Sequence, residues 1–166
     1  LTKSWVDTVA DTKVAIRDTR KTTPGLRELE KYAVRMGGGE NHRFSLSDAA
    51  LIKDNHVLAA GGVASAFDLV KKKFPNLPLE VEVDSLQQLR EVIEAGADLV
   101  MLDNMSIEEC RAAVEIVAGR AKLEASGGLI LNNAHAYAKT GVDYLAVGAL
   151  THSAPVLDIG LDLRME

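Results

Sequence analysis

The sequence of 166 residues contains one cysteine, Cys110, so it cannot form an internal disulfide. It also lacks any run of about 18 apolar residues, the pattern of a membrane-spanning helix. Residues 1–5 do not show the basic-then-apolar order of a signal peptide. Together these absences predict a soluble, cytoplasmic protein with no membrane partner, in which Cys110 is a reduced structural thiol.

The sequence has no basic excess either, and its formal net charge is −5 at pH 7. A general nucleic-acid-binding protein normally carries a basic patch or stripe, so no nucleic-acid partner is expected. The cations are nevertheless unevenly placed, because many of those beside expected loops fall within the first 53 residues. These are Arg17, Arg20, Lys21, Arg27, Arg43 and Lys53. This distribution indicates a local anion site.

No Pro/Ser-rich linker or low-complexity segment interrupts the chain, and 47% of its residues are hydrophobic. Residues 1–166 are therefore expected to form a single domain with one sizeable core. The sequence begins without methionine, inside an amphipathic helical pattern that carries Trp5, Val6 and Val9. We therefore expect this domain to be part of a longer protein.

Short β-branched runs alternate regularly with longer helical patterns, which predicts an α/β fold with a parallel sheet. The predicted strands cover residues 13–17, 49–52, 79–83, 98–102, 121–125, 143–147 and 157–161. The predicted helices cover residues 24–36, 63–73, 85–95, 107–118 and 131–140. The first of these helices is expected to begin at Pro24, since proline suits a first helical turn.

Polar residues or glycines follow six of the predicted strands. They are Asp18 to Lys21, Lys53 to His56, Asp84, Asp103 with Asn104, Ser126 to Gly128, and Gly148. Periodicity alone does not distinguish a closed barrel from a doubly wound open sheet. Six polar strand ends nevertheless favour a barrel, whose strands all end at one mouth. Seven strands rather than eight imply that the barrel is incomplete.

Two segments and one strand end bring cations to this mouth. Arg20 and Lys21 stand together between a strand and a helix, and three glycines precede His42 and Arg43. Arginine offers a planar fork for carboxylate or phosphate, and lysine adds a point charge. A solvated loop or a helix terminator is the alternative for each segment. Lys53 is expected to bind phosphate or to pair with a neighbouring carboxylate, whereas His56 is expected to make a structural hydrogen bond.

Carboxylates alternate along residues 79–84, so Glu80, Glu82 and Asp84 share one side of a strand. Carboxylates inside a barrel require cations, and Lys53 on the preceding strand is the natural partner. Asp103 ends the next strand. Glu82 and Asp103 are therefore expected to hold Mg²⁺, directly or through water, or to accept hydrogen bonds from sugar hydroxyls.

Small residues follow the last two strands of the barrel pattern. They are Ser126, Gly127 and Gly128, and then Val147, Gly148 and Ala149. Small residues expose backbone N–H groups, and the late loops of a barrel often bind phosphate. Either motif is weak by itself, but in this order they predict a phosphate cradle.

Six ordered motifs resemble quinolinate phosphoribosyltransferase, with matching spacing from about Lys13 to the C-terminus. They occupy residues 19–22, 38–43, 51–56, 80–83, 102–104 and 126–128. The resemblance implies a type II phosphoribosyltransferase with an incomplete, about seven-stranded TIM-like α/β barrel. It also implies a preceding α/β sandwich domain, absent here, whose arginine completes the site of a neighbouring subunit. A homodimer or larger homo-oligomer with a shared active site is therefore expected.

The resemblance further implies transfer of phosphoribosyl from phosphoribosyl pyrophosphate to quinolinate, with decarboxylation, in de novo NAD biosynthesis. The products would be nicotinate mononucleotide, pyrophosphate and CO₂. The residues implied for quinolinate and pyrophosphate are Thr19, Arg20, Lys21, His42, Arg43 and Lys53. Glu82 and Asp103 would face the ribose and Mg²⁺, and with Lys53 they are the implied catalytic residues. The cradle from Ser126 to Gly128 and from Val147 to Ala149 would hold the 5′-phosphate.

Three alternatives stay open at the level of the sequence. A different barrel enzyme for a phosphorylated substrate would use the same cradle but would need a general acid or base in place of the cations. A non-catalytic phosphate-binding barrel is the second alternative. The third is a paralogous phosphoribosyltransferase with a shifted substrate, such as those associated with molybdenum uptake.

Overall fold

The computed structural model describes residues 1–164, so the last two residues of the predicted 1–166 domain lie outside the described residues. Six strands form one parallel sheet. They are β1 (Ala15–Arg17), β2 (Ala50–Ile52), β3 (Leu79–Val83), β4 (Leu99–Asp103), β5 (Lys122–Ser126) and β6 (Tyr144–Ala146). The fold is therefore the predicted α/β type.

The strand order, β1-β6-β5-β4-β3-β2, is that of a barrel with one opening. From β2 to β6 each strand lies beside its neighbour in the chain, and β1 pairs with β6 in parallel. A doubly wound sheet would instead reverse its strand order at a switch point. The opening lies between β1 and β2, which do not pair.

The prediction of a seventh strand at residues 157–161 is wrong. These residues have no regular secondary structure, and Leu157, Ile159 and Leu161 are all more than three-quarters exposed. Alternating apolar residues suit a strand only where a neighbour supplies ladder partners, and no neighbouring strand meets this segment within residues 1–164. Instead, Glu40 extends the sheet at the opening, because its N–H donates to the Ile16 carbonyl and its own carbonyl accepts from Asp18.

Eight helices lie among residues 1–164. They are α1 (Thr2–Thr8), α2 (Arg27–Met36), α3 (Asp54–Ala60), α4 (Val63–Lys73), α5 (Leu86–Glu94), α6 (Ile107–Val117), α7 (Leu131–Ala138) and α8 (Ala149–His152). All five predicted helices are present, with α1 at the amphipathic start. None of the eight is long and apolar enough to cross a membrane.

Two of the helix predictions need correction. The helix expected from Pro24 begins at Arg27, because Gly25 adopts a positive φ of 80° that is incompatible with a first helical turn. No helix was predicted directly after Lys53, but the polar run there begins α3. There the His56 imidazole accepts the N–H of Lys53 at 2.9 Å and closes the first turn. The expectation that His56 is structural is thus confirmed.

The core lies between the sheet and the surrounding helices. Its strand contribution includes Val81, Val100 and Leu145, which are fully buried, and Leu89 on α5 packs into the same cluster. Cys110 is also fully buried and unpaired, and burial raises the pKa of its thiol to about 12. The layered packing leaves the carboxyl ends of the strands free to form a polar site.

Candidate active site

A cavity of about 210 Å³ opens at the carboxyl ends of the strands. Its lining includes every predicted cation and carboxylate of the site and the first residue of the predicted cradle. The lining residues are Thr19, Arg20, Lys21, His42, Arg43, Leu51, Lys53, Glu82, Met101, Asp103, Glu124, Ser126 and Ala146. Residues that are up to 127 positions apart in the sequence, Thr19 and Ala146, therefore meet because parallel strands end at the same edge.

The loop that carries Arg20 and Lys21 is fixed by its backbone. The Arg27 guanidinium donates to the Arg20 carbonyl at 3.2 Å, and the Thr151 hydroxyl donates to the Lys21 carbonyl at 2.5 Å. The Lys21 N–H also donates to the Thr19 hydroxyl oxygen at 3.1 Å. Since none of these bonds uses the Arg20 or Lys21 side-chain charge, both cations remain available to a ligand.

A buried ion pair supports the segment that carries His42 and Arg43. Asp18 and Lys31 are almost fully buried and lie 2.5 Å apart. Asp18 also accepts hydrogen bonds from the Asn41 side chain and the His42 N–H, and Lys31 donates to the His42 carbonyl. The sequence did not indicate this ion pair, because its partners stand 13 positions apart and meet only through the tertiary fold.

Arg43 lines the cavity, and its surroundings disfavour its positive charge. Its N–H donates to His42 Nδ1 at 2.8 Å and its guanidinium donates to the Ala49 carbonyl at 3.0 Å. Burial lowers the pKa of Arg43, and the nearby positive charge of Arg20 lowers it further. Two adjacent guanidinium groups that oppose each other favour an anionic ligand between them.

The carboxylates stand opposite these cations. Lys53 forms an ion pair with Glu82, as the sequence predicted. Asp103 ends β4 and accepts a hydrogen bond from the Asn104 side chain at 2.9 Å. Glu82 and Asp103 both line the cavity with oxygen ligands, the type that Mg²⁺ prefers. The donor set therefore fits Mg²⁺, provided that Glu82 exchanges Lys53 for the ion.

At the floor of the cavity, Glu124 belongs to the lining and Glu80 lies against the lining residue His42. Neither carboxylate was predicted as a site residue. His42 Nε2 lies 2.5 Å from Glu80 and 3.6 Å from Glu124. The Arg17 guanidinium donates to Glu124 at 3.0 Å. Burial raises the pKa of Glu124 to about 7, and the charge of Glu80 acts in the same direction. The alternation that places Glu124 and Ser126 on one side of β5 was the signal that could have revealed Glu124.

The atoms of His42, Glu80 and Glu124 are close enough together to suggest a metal site, since one ligand atom of each lies within 4.8 Å of the others. The Arg17 guanidinium bonded to Glu124 opposes a second cation there. Glu82 and Asp103 are the better match for Mg²⁺ because they lie nearer the strand ends and contact no arginine within residues 1–164.

The predicted cradle residues other than Ser126 lie outside the cavity lining. Gly127 and Gly128 have positive φ angles, and a side chain at Gly127 would collide with Asn104. Among residues 1–164, the N–H groups of these two glycines, Gly148 and Ala149 have no backbone partner. Val147 differs, because its N–H donates to the Arg17 carbonyl at 2.9 Å and is not available to phosphate.

Comparison with known proteins identifies the family of the chain. The family described as "Quinolinate phosphoribosyl transferase, C-terminal domain" matches residues 1–162. The chain belongs to this family.

Relatives in the quinolinate phosphoribosyltransferase family share substantial identity with the chain. The nicotinate-nucleotide pyrophosphorylase [carboxylating] of Mycobacterium leprae is 58% identical, over 98% of this chain and 58% of that protein. A probable enzyme of the same name from Bacillus subtilis is 45% identical, over 99% of this chain and 57% of that protein. Plant relatives at 40% identity carry chloroplastic or mitochondrial in their names.

The solved structure of nicotinate-nucleotide pyrophosphorylase from Ehrlichia chaffeensis superposes with a TM-score of 0.94. It is 46% identical in sequence, and the match covers 97% of this chain and 59% of that chain. The chain therefore spans somewhat more than half the length of the relatives it matches.

The site also contains a residue that the sequence reading did not single out. His152, at the end of α8, lies close enough to Gly148 that a side chain there would collide with its imidazole. The same position lies near the Thr19 hydroxyl. His152 therefore stands beside the residues that the family resemblance assigns to the phosphate cradle. No sequence signal marked it, because a histidine after a short helix has no distinctive spacing.

Proposed function

We propose that this chain carries the catalytic barrel of a quinolinate phosphoribosyltransferase. The enzyme would join quinolinate to phosphoribosyl pyrophosphate and release pyrophosphate and CO₂, giving nicotinate mononucleotide in NAD biosynthesis. The names of its relatives support this reaction. The observation that carries the proposal is a single cavity whose lining brings four cations together with the two carboxylates nearest the strand ends. These residues are Arg20, Lys21, Arg43 and Lys53, and Glu82 and Asp103.

Arg20 and Arg43 bind the two carboxylates of quinolinate in this account. Guanidinium groups bind carboxylates with paired, directional hydrogen bonds, and a vicinal dicarboxylate needs two such forks side by side. The repulsion between the two arginines is relieved when a dianion lies between them. His42 shapes this end of the cavity, and its Nδ1 holds the backbone of Arg43 in place.

Lys21 and Lys53 bind the pyrophosphate as it leaves. Lysine provides a movable point charge, which suits an anion whose position changes during the reaction. Lys53 is paired with Glu82 before the ligand binds, so pyrophosphate would take over the lysine and free the carboxylate. This exchange presents Glu82 to the ribose when the leaving group is in place.

Glu82 and Asp103 act on the ribose. Departure of pyrophosphate leaves positive charge on the sugar ring, and a nearby carboxylate stabilises that charge. The two residues would also hold Mg²⁺, directly or through water. When bound, Mg²⁺ supplies positive charge that stabilises the departing pyrophosphate. No side chain needs to form a covalent bond with the substrate.

The pyridine nitrogen of quinolinate attacks C1 of the ribose as the C1–O bond to pyrophosphate breaks. The nitrogen becomes positively charged, and this charge accepts electron density when the adjacent C2–carboxylate bond breaks. CO₂ leaves, the electron pair stays on C2, and C2 takes a proton. Arg20 and Arg43 must therefore hold the dicarboxylate until the new bond has formed.

The 5′-phosphate binds at the glycine loops after β5 and β6. Ser126, Gly127, Gly128, Gly148 and Ala149 supply a hydroxyl and unpaired N–H groups. Val147 contributes by fixing the backbone through its bond to Arg17 and does not contact phosphate through its N–H.

Residues 1–166 form one barrel domain of a longer protein in this proposal. The greater length of the relatives supports a further domain. We expect the longer protein to form a homodimer or a larger homo-oligomer with a shared active site. The cytoplasm is the expected compartment, in keeping with the buried, unpaired Cys110.

Calorimetric titration with quinolinate tests the proposed substrate. Quinolinate is expected to bind more tightly than nicotinate, which lacks the second carboxylate and leaves one arginine unpaired. Equal affinity for the two ligands, or a preference for nicotinate, would contradict the proposed substrate.

A further inference from the structure

Two buried carboxylates, Glu124 in the cavity lining and Glu80 against His42, have no role in the ligand contacts described above. Glu80 is 3% exposed and Glu124 is fully buried. One carboxylate oxygen of each lies within 4.8 Å of the other. In both residues Oε1 is buried without a hydrogen-bond partner among residues 1–164. A buried, unpaired oxygen is costly, so the charges around it need to be counted.

Groups from every neighbouring element face Glu124. They are Arg17 on β1, His42 on the segment after α2, Glu80 on β3, uncharged Met101 on β4, and Tyr144 on β6. Arg17 is the only permanent cation in this set. It is also shared, because Glu40 lies 3.5 Å from its Nε and the Tyr144 ring lies against its guanidinium. The floor therefore contains more negative than positive charge.

A proton on Glu124 corrects this imbalance at the lowest cost. Burial is the largest single effect on the pKa of His42 and lowers it. The other effects, led by the Glu80 hydrogen bond and the Glu124 charge, together raise the pKa of His42 above its usual value. A second proton on His42 would nevertheless have to occupy Nδ1, which accepts the Arg43 N–H at 2.8 Å. That proton would break the bond that holds Arg43. A proton on Glu124 Oε1 breaks no bond, because that oxygen has no partner.

We propose that Glu124 is a neutral carboxylic acid whenever a dicarboxylate occupies the cavity, so that binding of this ligand takes up a proton at Glu124. A dianion above the floor repels a second negative charge beneath it, and this repulsion is strong where water is excluded. The raised pKa of Glu124, about 7, means that the acid is only partly protonated at neutral pH without ligand. The inference rests on the proposed function, which supplies the dicarboxylate.

Glu124 acts in this account as a positioning residue. As a neutral acid it leaves His42 Nε2–H directed at Glu80, and His42 Nδ1 then holds Arg43. As a carboxylate it would compete with Glu80 for the His42 proton from 3.6 Å away. Protonation therefore keeps Arg43 in place as well as lowering the negative charge under the ligand.

Calorimetric binding of phthalate, an unreactive vicinal dicarboxylate, tests the coupling. We expect wild-type protein to take up close to one proton per phthalate at pH 8, measured in buffers of different ionisation enthalpy. Its affinity should fall by up to about tenfold per pH unit above pH 7, the limit for one linked proton. Glu124→Gln keeps the shape of the neutral acid and should bind phthalate without proton uptake and with little change between pH 7 and pH 8.5.

Glu40→Gln is the matched control. It removes a carboxylate from the same arginine, but Glu40 is half exposed and does not line the cavity. It should keep the proton uptake of the wild type. Equal uptake in wild-type protein and Glu124→Gln, or none in either, would overturn the coupling. If phthalate bound neither protein at any pH, the proposed function itself would be contradicted, and with it the coupling.

Thermal unfolding supplies a test that needs no ligand. Because the folded state retains a proton that Glu124 loses at about its usual pKa of 4.5 when unfolded, wild-type stability should fall as pH rises from about 4.5 to 7. This part of the profile should be missing in Glu124→Gln. Parallel profiles for the two proteins would show that Glu124 keeps its usual pKa in the unliganded protein, and would contradict the surplus of negative charge around Glu124 from which the proposal is argued.

Discussion

The charged residues of the cavity differ in whether they are already paired with another side chain before a ligand binds. Arg20 and Arg43 oppose each other and share no carboxylate among residues 1–164, whereas Lys53 is already paired with Glu82. The arginines are therefore prepared for an anion that arrives with the substrate. The lysine instead has to change partners during the reaction.

Arg43→Ala and Arg20→Ala should weaken quinolinate binding more than binding of phosphoribosyl pyrophosphate. Loss of a guanidinium that the ligand covers costs on the order of 2–5 kcal/mol, because one carboxylate is left without its partner. Calorimetry on each variant with each ligand measures the difference. An equal loss for both ligands would contradict the separate roles of the arginines and lysines.

Glu82→Gln and Asp103→Asn should lower turnover and weaken its dependence on Mg²⁺ while the fold survives. Both substitutions keep the size of the side chain and remove the charge that stabilises the ribose and the metal. Turnover at a series of Mg²⁺ concentrations gives the readout, with melting temperature as the control for folding. The metal role fails if both variants show the Mg²⁺ profile of the wild type.

At the scale of elements, the sheet was largely predictable because short apolar runs alternate regularly with longer helical patterns, and each strand has at least one buried residue. The run at residues 157–161 has the same alternation but no strand beside it within the described chain. The helix start predicted at Pro24 was wrong for a different reason. Proline permits a first helical turn, but the positive φ of Gly25 is not a helical angle. The local sequence pattern specifies neither which strand lies beside a segment nor the backbone angle of a glycine.

The candidate site was predictable where polar residues follow a strand, as Arg20 and Lys53 do, or where carboxylates lie near the end of one, as Glu82 and Asp103 do. It was not predictable where a buried residue supports another. Lys31 lies in the middle of α2, and a lysine in a helix ordinarily faces solvent. Only the fold shows that Lys31 pairs with Asp18 beneath the His42 segment.

Asp18→Asn should destabilise the protein by about 3–5 kcal/mol, because it leaves the buried Lys31 ammonium without its counter-charge. Asp7→Asn is the matched control, since Asp7 also pairs with a lysine but on the exposed surface of α1. That change should cost less than about 1 kcal/mol. Denaturant unfolding of both variants measures the costs, and similar values for the two would contradict a supporting role for the buried pair.

At the scale of the whole molecule, the chain contains the cavity but spans only 57–59% of the length of relatives such as those from Bacillus subtilis and Ehrlichia chaffeensis. The glycine loops and the cations all come from this chain. Its own residues should therefore suffice to bind phosphoribosyl pyrophosphate. The family resemblance implies that an arginine from a further domain closes the dicarboxylate end of the cavity, so in residues 1–166 alone that end should be open to water, where each ion pair is weaker.

A protein limited to residues 1–166 should thus bind phosphoribosyl pyrophosphate yet turn over quinolinate poorly. A form extended at its N-terminus to the length of the relatives should bind phosphoribosyl pyrophosphate similarly and turn over quinolinate faster. Binding and product formation measured side by side in the two forms check this. Equal rates would mean that the barrel is catalytically self-contained.

The most direct test of the proposed reaction follows the carboxylate at C2. Quinolinate labelled at that carboxylate, incubated with the extended protein, Mg²⁺ and phosphoribosyl pyrophosphate, should release labelled CO₂ in step with nicotinate mononucleotide. Omission of phosphoribosyl pyrophosphate should abolish the release, and nicotinate should be a poor substrate. Formation of nicotinate mononucleotide from nicotinate in preference to quinolinate, without labelled CO₂, would contradict the account.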